Sequence, residues 1–258
     1  MTFLTDVKYL FLRSIKKLVR TPILLFFSLL QPIIFLLLFT QLFSQFTRAP
    51  GLFPAGVSYL SYATPGILLQ NAFSSALQSG TSIVDDLNSG FLQKMLVTPV
   101  NRMAILLGRL TSDAFRVTVQ STIILVLAYL LGFRVDTGLP GILVILGIIA
   151  FFGLAWSGIS LAIGLRTKSA ETVFGIGGFL TFPLLFMSTS LVPAGAMPAW
   201  IQSVSGVNPI SFAVNAVRDL SLPNFFDAGA ILTAVGVVGA IAVLTLGSTL
   251  YLFRKVVS

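Results

Sequence analysis

Long apolar segments with almost no charge constrain this chain more than any other feature of its sequence. Only 9% of the 258 residues are charged and 56% are hydrophobic, and the mean hydropathy is +0.98. Soluble domains carry roughly 25% charged residues, and a helix that crosses a bilayer needs about 20 largely apolar ones. The composition therefore predicts an all-α polytopic membrane protein with one transmembrane domain over residues 1–258.

Six apolar segments are long enough to be transmembrane helices. We place them at residues 23–43, 59–84, 103–131, 139–165, 171–190 and 228–253. Residues 1–21 precede them and predict an amphipathic helix in the membrane surface, because basic side chains such as Arg13, Lys16 and Lys17 share its polar face. Residues 193–224 are apolar but contain four prolines, which predicts an external re-entrant helical hairpin before the last span.

The positions of the basic residues predict the orientation. Six spans place both termini on one side, and of the 16 Lys and Arg residues only Arg48, Arg134 and Arg218 fall on the other side. Because cytoplasmic segments carry the excess of Lys and Arg, we expect both termini in the cytoplasm. This orientation also explains the net charge of +8, so the charge does not indicate nucleic-acid binding.

The most charged stretch between spans covers residues 85–116 and includes the predicted cytoplasmic loop 88–101. Asp85 and Asp86 are expected to end the second span in water. The third span then begins with a polar face formed by Arg102, Arg109, Asp113, Arg116 and Gln120. The spacing of this face allows Asp113 to pair with Arg109 and Arg116 along the helix. Two interpretations of the face stay open: the helix projects below the membrane, or the face lines a water-filled cavity.

Catalysis has little support in this sequence. It contains no Cys and no His, which removes thiolates and imidazoles as nucleophiles or metal ligands, and it has no phosphate-binding G-x-x-x-x-G-K-[ST] loop. We therefore expect no catalytic site, metal or cofactor in this chain, and if ATP drives the protein, another chain must bind it. The alternatives are an ion-coupled secondary transporter and a membrane-embedded lipid-modifying enzyme. Ion coupling usually needs an ionisable residue at the bilayer midplane, and the acidic residues here lie near the predicted span ends.

Three segments carry a likeness to a known family. They are the amphipathic N-terminal helix, the run ATPGILLQNAFSSALQSG followed by DDLNSGFLQKMLVTPVNRMAILLGRL, and the run MSTSLVPAGAMPAWIQSVSGVNPISFAVNAVRDL. In these segments the chain resembles the membrane permeases of type-2 ATP-binding-cassette (ABC) exporters, and among them the daunorubicin-resistance permease group. The resemblance covers nearly the whole chain.

The resemblance implies a transporter of two permease copies, expected to be identical, and two cytoplasmic ABC ATPases that bind ATP and Mg²⁺, in a prokaryotic cell membrane. Residues 90–97 would form the coupling helix that contacts the ATPase. The expected coupling residues are Gly90, Phe91, Leu92, Lys94, Met95, Pro99 and Arg102. Residues 1–21, with Arg13, Lys16 and Lys17, would be the connecting helix beside it. Relatives commonly carry Glu near the middle of the coupling helix, where this chain has Gln93.

A substrate path and an external gate are also implied. Relatives export drugs, lipids, glycans and glycolipids, and the nearly uncharged spans here favour an amphipathic or hydrophobic cargo taken from the cytoplasm or inner leaflet. A polar stripe on the second span and two residues of the fifth are the expected lining: Gln70, Asn71, Ser74, Gln78, Phe182 and Met187. Packing at a dimer interface is the alternative for each of them. The gate would include Pro198, Trp200, Asn208 and Pro209.

Overall fold

The computed structural model describes residues 3–43, 45, 53, 56–97, 101–222 and 226–257, and within these ranges the chain is helical with no β strand. The helices are α1 (Phe3–Arg20), α2 (Pro22–Leu42), α3 (Tyr59–Asn88), α4 (Phe91–Leu96), α5 (Arg102–Leu130), α6 (Gly138–Thr167), α7 (Ala170–Phe186), α8 (Ala199–Val207), α9 (Pro209–Ser221) and α10 (Ala228–Val257). A single 3₁₀ turn at Ala194–Ala196 precedes α8.

Four helices in the described ranges are long and apolar enough to cross a membrane: Leu25–Leu42 of α2, Met103–Leu130 of α5, Gly138–Thr167 of α6 and Ala228–Phe253 of α10. The protein is therefore a multi-pass membrane protein. The sequence predicted six spans, and the two further helices at those positions, α3 and α7, differ from the other four. Helix α7 is apolar but has only 17 residues, whereas α3 has 30 residues and carries a polar stripe.

Helix α3 is the centre of the fold. It packs against α2, α5, α6, α7 and α9, and nearly every side chain from Tyr59 to Asp86 is buried or half-buried. A helix that other helices enclose on most sides can hold polar residues without exposing them to lipid. This position explains why α3 lacks the apolar composition of a lipid-facing span.

Small residues bring α3 and α6 close together. A Cβ atom at Gly164 of α6 would lie 2.7 Å from the carbonyl oxygen of Gly80 on α3, and one at Gly80 would collide with Ser160. Glycine at both positions therefore allows the two backbones to touch, as in other membrane helix pairs. Beside this contact, Phe73 of α3 packs edge-on against Trp156 of α6 with ring centroids 4.4 Å apart.

Helix α1 lies along the start of α5. Gly108 of α5 leaves room for Leu10, whose Cβ would be 2.7 Å from a Cβ at that position. The backbone N–H of Asn101 donates to the Asp6 carboxylate at 3.3 Å, and the rings of Phe11 and Phe115 meet edge-on. These contacts fix α1 beside the α4–α5 connection.

The segment predicted as a re-entrant hairpin contains α8 and α9, of nine and 13 residues. Asn208 lies between them and accepts a hydrogen bond from the Ile210 N–H at 2.9 Å, which caps α9. Its amide nitrogen donates to the Leu184 carbonyl at 2.7 Å. One side chain therefore both starts α9 and attaches the hairpin to the end of α7.

Candidate functional site

A cavity of about 360 Å³ lies between α1, α3 and α5. Among the described residues, six charged side chains line it: Arg13, Asp85, Asp86, Arg109, Asp113 and Arg116. We call it the ion-pair cavity. The polar face of α5, for which the sequence left two interpretations open, lines this cavity with Arg109, Asp113, Arg116 and Gln120.

Two arginines of α5 reach across to α3 in this cavity. Arg109 Nη1 lies 2.7 Å from Asp86 Oδ2. Arg116 donates from Nε to Ser75 Oγ at 2.9 Å and from Nη2 to the Ser75 carbonyl at 2.6 Å. Ser79 of α3 donates to the Asp113 carboxylate. We call these three interhelical contacts the α3–α5 polar contacts.

The α3–α5 polar contacts show that two predictions about the charged residues were wrong. Arg109 was expected to pair with Asp113 along α5, but its ion pair is with Asp86 on α3; the other expected partner of Asp113, Arg116, does lie 3.2 Å from it. Asp86 was expected in water, yet it is only 8% exposed. A buried carboxylate needs a cation or hydrogen-bond donors, and the guanidinium of Arg109 provides them.

A second cavity, of about 280 Å³, adjoins the first along α3. No charged side chain of the described residues lines it, so we call it the charge-free cavity. Its walls are aromatic rings and uncharged polar groups, among them Phe27, Gln31, Gln70, Asn71, Phe73, Ser74, Gln78, Gln120, Phe174, Thr181 and Phe182. The two cavities share Ser28, Gln78, Gln120 and Phe174 as lining residues.

Most residues predicted for the substrate path meet in the charge-free cavity. Gln70, Asn71, Ser74 and Gln78 line it from α3, and Phe182 lines it from α7. Met187 is half-buried at the end of α7 and is not part of the lining. Sequence reasoning missed Gln31 and Thr181, which are isolated polar residues in apolar helices. It placed Gln120 on the polar face of α5 but not in the path.

Helix α4 borders the ion-pair cavity through Met95 and lies in the connection between α3 and α5. Gly90 adopts φ of 68° before its first residue, a conformation that glycine adopts without strain. The guanidinium of Arg13 lies 3.8 Å from the centre of the Phe91 ring. Partial burial lowers the pKa of Arg13, and the Asp86 carboxylate opposes that shift. The α1–α4 contact is thus a cation–π pair.

The residues predicted for coupling differ in exposure. Lys94 is exposed, and Phe91 and Met95 are half-buried. Leu92 is 1% exposed and lies in a small apolar cluster with Ile83, Leu106 and Phe253. Pro99 and the side chains of Arg102 and Lys17 lie outside the described residues, and Lys16 is exposed on α1. The most exposed apolar side chain at this end of the molecule that the structure describes is Val97, at 86%.

At the opposite end of α3, Arg218 of α9 is buried, with 6% of its surface exposed. It donates to the Thr189 carbonyl at 2.7 Å, the Asn215 side-chain oxygen at 2.8 Å and the Tyr62 carbonyl at 3.3 Å. Its guanidinium also lies 3.8 Å from the centre of the Tyr62 ring. Of the gate residues, Asn208 is buried, Pro209 is half-buried, and Pro198 and Trp200 are exposed.

Residues 5–222 match the ABC-2 type transporter family, which covers all the elements described above except α10 and the start of α1. The chain belongs to the ABC-2 type transporter family. The resemblance that the sequence motifs indicated is therefore confirmed. Membership of the ABC-2 family also implies a partnership with an ATPase subunit.

Several curated relatives of this ABC-2 chain are named as permeases. It is 34% identical to the daunorubicin resistance ABC transporter permease protein of Streptomyces coeruleorubidus, over 87% of this chain and 79% of that protein. It is 33% identical to a putative transport permease of Cyanophora paradoxa, over 84% of this chain and 74% of the relative. A probable doxorubicin resistance permease of Mycobacterium tuberculosis is 29% identical over 58% of this chain and 56% of its own length.

Proposed function

We propose that this chain is the membrane permease of an ATP-driven exporter and that a separate cytoplasmic ATPase binds and hydrolyses ATP with Mg²⁺. The observation that supports this function best is the family match over residues 5–222, combined with a short helix, α4, in the connection between two helices that enclose a cavity. In this proposal the chain has no catalytic site of its own. It belongs to a prokaryotic cell membrane, and two identical permeases assemble with two ATPases.

The proposed topology has six spans and cytoplasmic termini. Helices α2, α3, α5, α6, α7 and α10 are the spans, because α3 is enclosed by other helices and α7 is apolar though short. The positive-inside distribution then places α1 and α4 at the cytoplasmic surface. Helices α8 and α9 return to the external side.

The ATPase docks on the exposed side of α4. Leu92 is buried beneath the helix, so we assign it to anchoring α4 rather than to contact with the ATPase. The exposed Lys94 and Val97 are the better docking residues, together with the basic side chains of α1. Gln93 is exposed as well, so the docking surface has a neutral amide where the resemblance to the exporter permeases implies a carboxylate in most members.

Motion of α4 passes to α3 and α5 together. Helix α4 connects them, and the α3–α5 polar contacts hold the two helices side by side through Asp86–Arg109 and Ser75–Arg116. A displacement of α4 therefore moves both walls of the ion-pair cavity as one unit.

The cargo passes from the ion-pair cavity through the charge-free cavity and leaves beside α8 and α9. Aromatic rings and amides line the charge-free cavity, which suits an amphipathic molecule with a large apolar surface and a few polar groups. Two relatives named for daunorubicin and doxorubicin resistance support a drug-like cargo; lipids and glycolipids fit the same description.

The docking site is tested by co-purification of the ATPase with the permease. Replacing Lys94 by Glu and Val97 by Asp should reduce the recovered ATPase at least about tenfold, because loss of about 1.4 kcal/mol of binding free energy is enough for that change. Cargo-stimulated ATP hydrolysis should fall in parallel, while the amount of inserted permease stays constant.

The matched control is Arg166→Glu, a charge reversal of an exposed residue in the last turn of α6, an end that the proposal also places in the cytoplasm. It should leave ATPase recovery unchanged. Equal loss from both variants would show that general surface charge, not α4, binds the ATPase. Transport by the purified chain alone under an ion gradient would instead favour a secondary transporter.

A further inference from the structure

Two residues that line the charge-free cavity each carry a buried polar atom with no partner within the protein. Among the described residues, the buried side-chain atoms that lack a hydrogen bond are Gln120 Oε1, Ser157 Oγ, Thr181 Oγ1 and Arg218 Nε. Gln120 and Thr181 line the charge-free cavity, whereas Ser157 and Arg218 line neither cavity. Buried polar groups normally have a partner, since an unpaired one loses its hydration without replacement. A cavity lined by two residues that carry such atoms is therefore suited to a polar ligand.

The hydrogen bonds of Ser28 fix the orientation of the Gln120 amide. Gln120 Nε2 donates to Ser28 Oγ at 2.7 Å, and the hydroxyl of Ser28 donates to the Leu25 carbonyl at 2.7 Å. A serine hydroxyl has only one hydrogen, so Ser28 must accept from Gln120. The atom of Gln120 that faces Ser28 is thus the nitrogen, and the unpaired atom is the carbonyl oxygen.

This acceptor belongs to a residue that the two cavities share. Gln120 lines both of them and is 1% exposed. Around it, Phe27, Phe73, Phe174 and Phe182 form the aromatic part of the lining of the charge-free cavity. No carboxylate of the described residues lines that cavity, so an ammonium group there would lack a counter-charge. Burying a charge without a partner is strongly unfavourable.

We propose that Gln120, assisted by Thr181, recognises a neutral hydroxyl group attached to an aromatic ring of the cargo. The Gln120 carbonyl accepts the hydrogen bond, the Thr181 hydroxyl supplies a second polar contact, and the phenylalanines cover the ring. This inference deepens the proposed function, because it assigns a specificity-determining residue in the export path. A cargo without the hydroxyl leaves the Gln120 oxygen unpaired and binds more weakly.

The test uses the purified full chain in lipid nanodiscs and two fluorescent probes of nearly equal shape, 2-naphthol and 2-methoxynaphthalene. Only 2-naphthol has an O–H donor, and empty nanodiscs correct for partition into lipid. The wild-type chain should bind 2-naphthol more tightly. Gln120→Leu should weaken 2-naphthol binding about tenfold, the loss of one hydrogen bond of about 1.4 kcal/mol. Binding of 2-methoxynaphthalene should change by less than about twofold.

Two further variants distinguish the loss of a specific contact from a folding defect. Thr181→Val retains the shape of the side chain, removes only its hydroxyl, and should lower 2-naphthol binding by a smaller factor than Gln120→Leu. Ser157→Ala removes another buried, unpaired hydroxyl outside both cavities and should have no effect on either probe.

Several outcomes overturn the inference. They are equal affinity of the wild-type chain for both probes, equal loss of both probes in Gln120→Leu, and tighter binding of naphthylmethylammonium than of 2-naphthol. None of these measurements requires the ATPase. If they fail while the α4 variants still release the ATPase, the recognition site is wrong and the proposed permease function stands.

Discussion

Arginine side chains hold both ends of α3, but with different partners. At one end Arg109 pairs with the Asp86 carboxylate at 2.7 Å, beside the ion-pair cavity. At the other end Arg218 is buried against two backbone carbonyls, an amide oxygen and the Tyr62 ring. The first contact joins two opposite charges across two helices. The second joins one cation to several neutral dipoles from three parts of the chain.

The difference predicts how each contact responds when a partner is lost. Removing one member of a buried ion pair leaves a charge without compensation, and removing both members can be nearly neutral. Arg218 has no carboxylate within ion-pair distance among the described residues, so no single partner can be removed to the same effect. The end with Asp86 is consequently sensitive to charge, and the end with Arg218 is sensitive to the shape of the guanidinium.

The largest expected effect is that of Asp86→Ala. It leaves the Arg109 guanidinium half-buried without its carboxylate and should lower the free energy of unfolding by about 3 kcal/mol. SDS-driven unfolding of the purified chain in mixed micelles measures this change. The double variant Asp86→Leu with Arg109→Leu should recover most of the loss. A double variant as unstable as the sum of the single variants would show that the charges do not interact.

Arg218→Met should have an intermediate effect. It retains much of the side-chain volume but removes the donors to Thr189, Asn215 and Tyr62, with an expected loss of about 2 kcal/mol of unfolding free energy. The control is Asp219→Asn, which removes the neighbouring carboxylate. If Arg218 depends on neutral partners, Asp219→Asn should not rescue Arg218→Met in the same unfolding assay. A rescue would reveal a hidden ion pair.

Arg218→Lys should have a smaller effect than Arg218→Met, about 1 kcal/mol. Lysine keeps the positive charge but lacks the planar fork that donates to several carbonyls while lying on a ring. At the other end of α3, Arg109→Lys should be tolerated better, because a single oxygen–nitrogen contact with Asp86 places fewer constraints on the orientation of the donor. Comparing the two lysine variants by SDS-driven unfolding checks the contrast directly; equal losses would contradict it.

Much of this architecture could be predicted from local sequence patterns. The predictions that failed have a common cause. The spacing of Gln70, Asn71, Ser74 and Gln78 predicted one polar helix face, and all four residues line the charge-free cavity. Such a face can be predicted because helical spacing is a local property. The predicted partner of Arg109 was wrong because the prediction used Asp113, which is near in sequence. Asp86 is brought near only by the packing of α3 on α5. Thr181 shows no periodic signal, so its place in a cavity follows from tertiary structure alone.

The six-residue length of α4 has a mechanical consequence. Isolated helices shorter than roughly 12 residues are marginal in water, so α4 depends on the burial of Leu92 for its shape. If the ATPase docks on α4 as proposed, pulling α4 away from the bundle would expose Leu92, at a cost of about 1.5–3 kcal/mol, and would unfold the helix. Displacement of α4 together with its apolar support avoids both losses. Helix α4 is therefore suited to move as a rigid element with the bundle rather than as a flexible link.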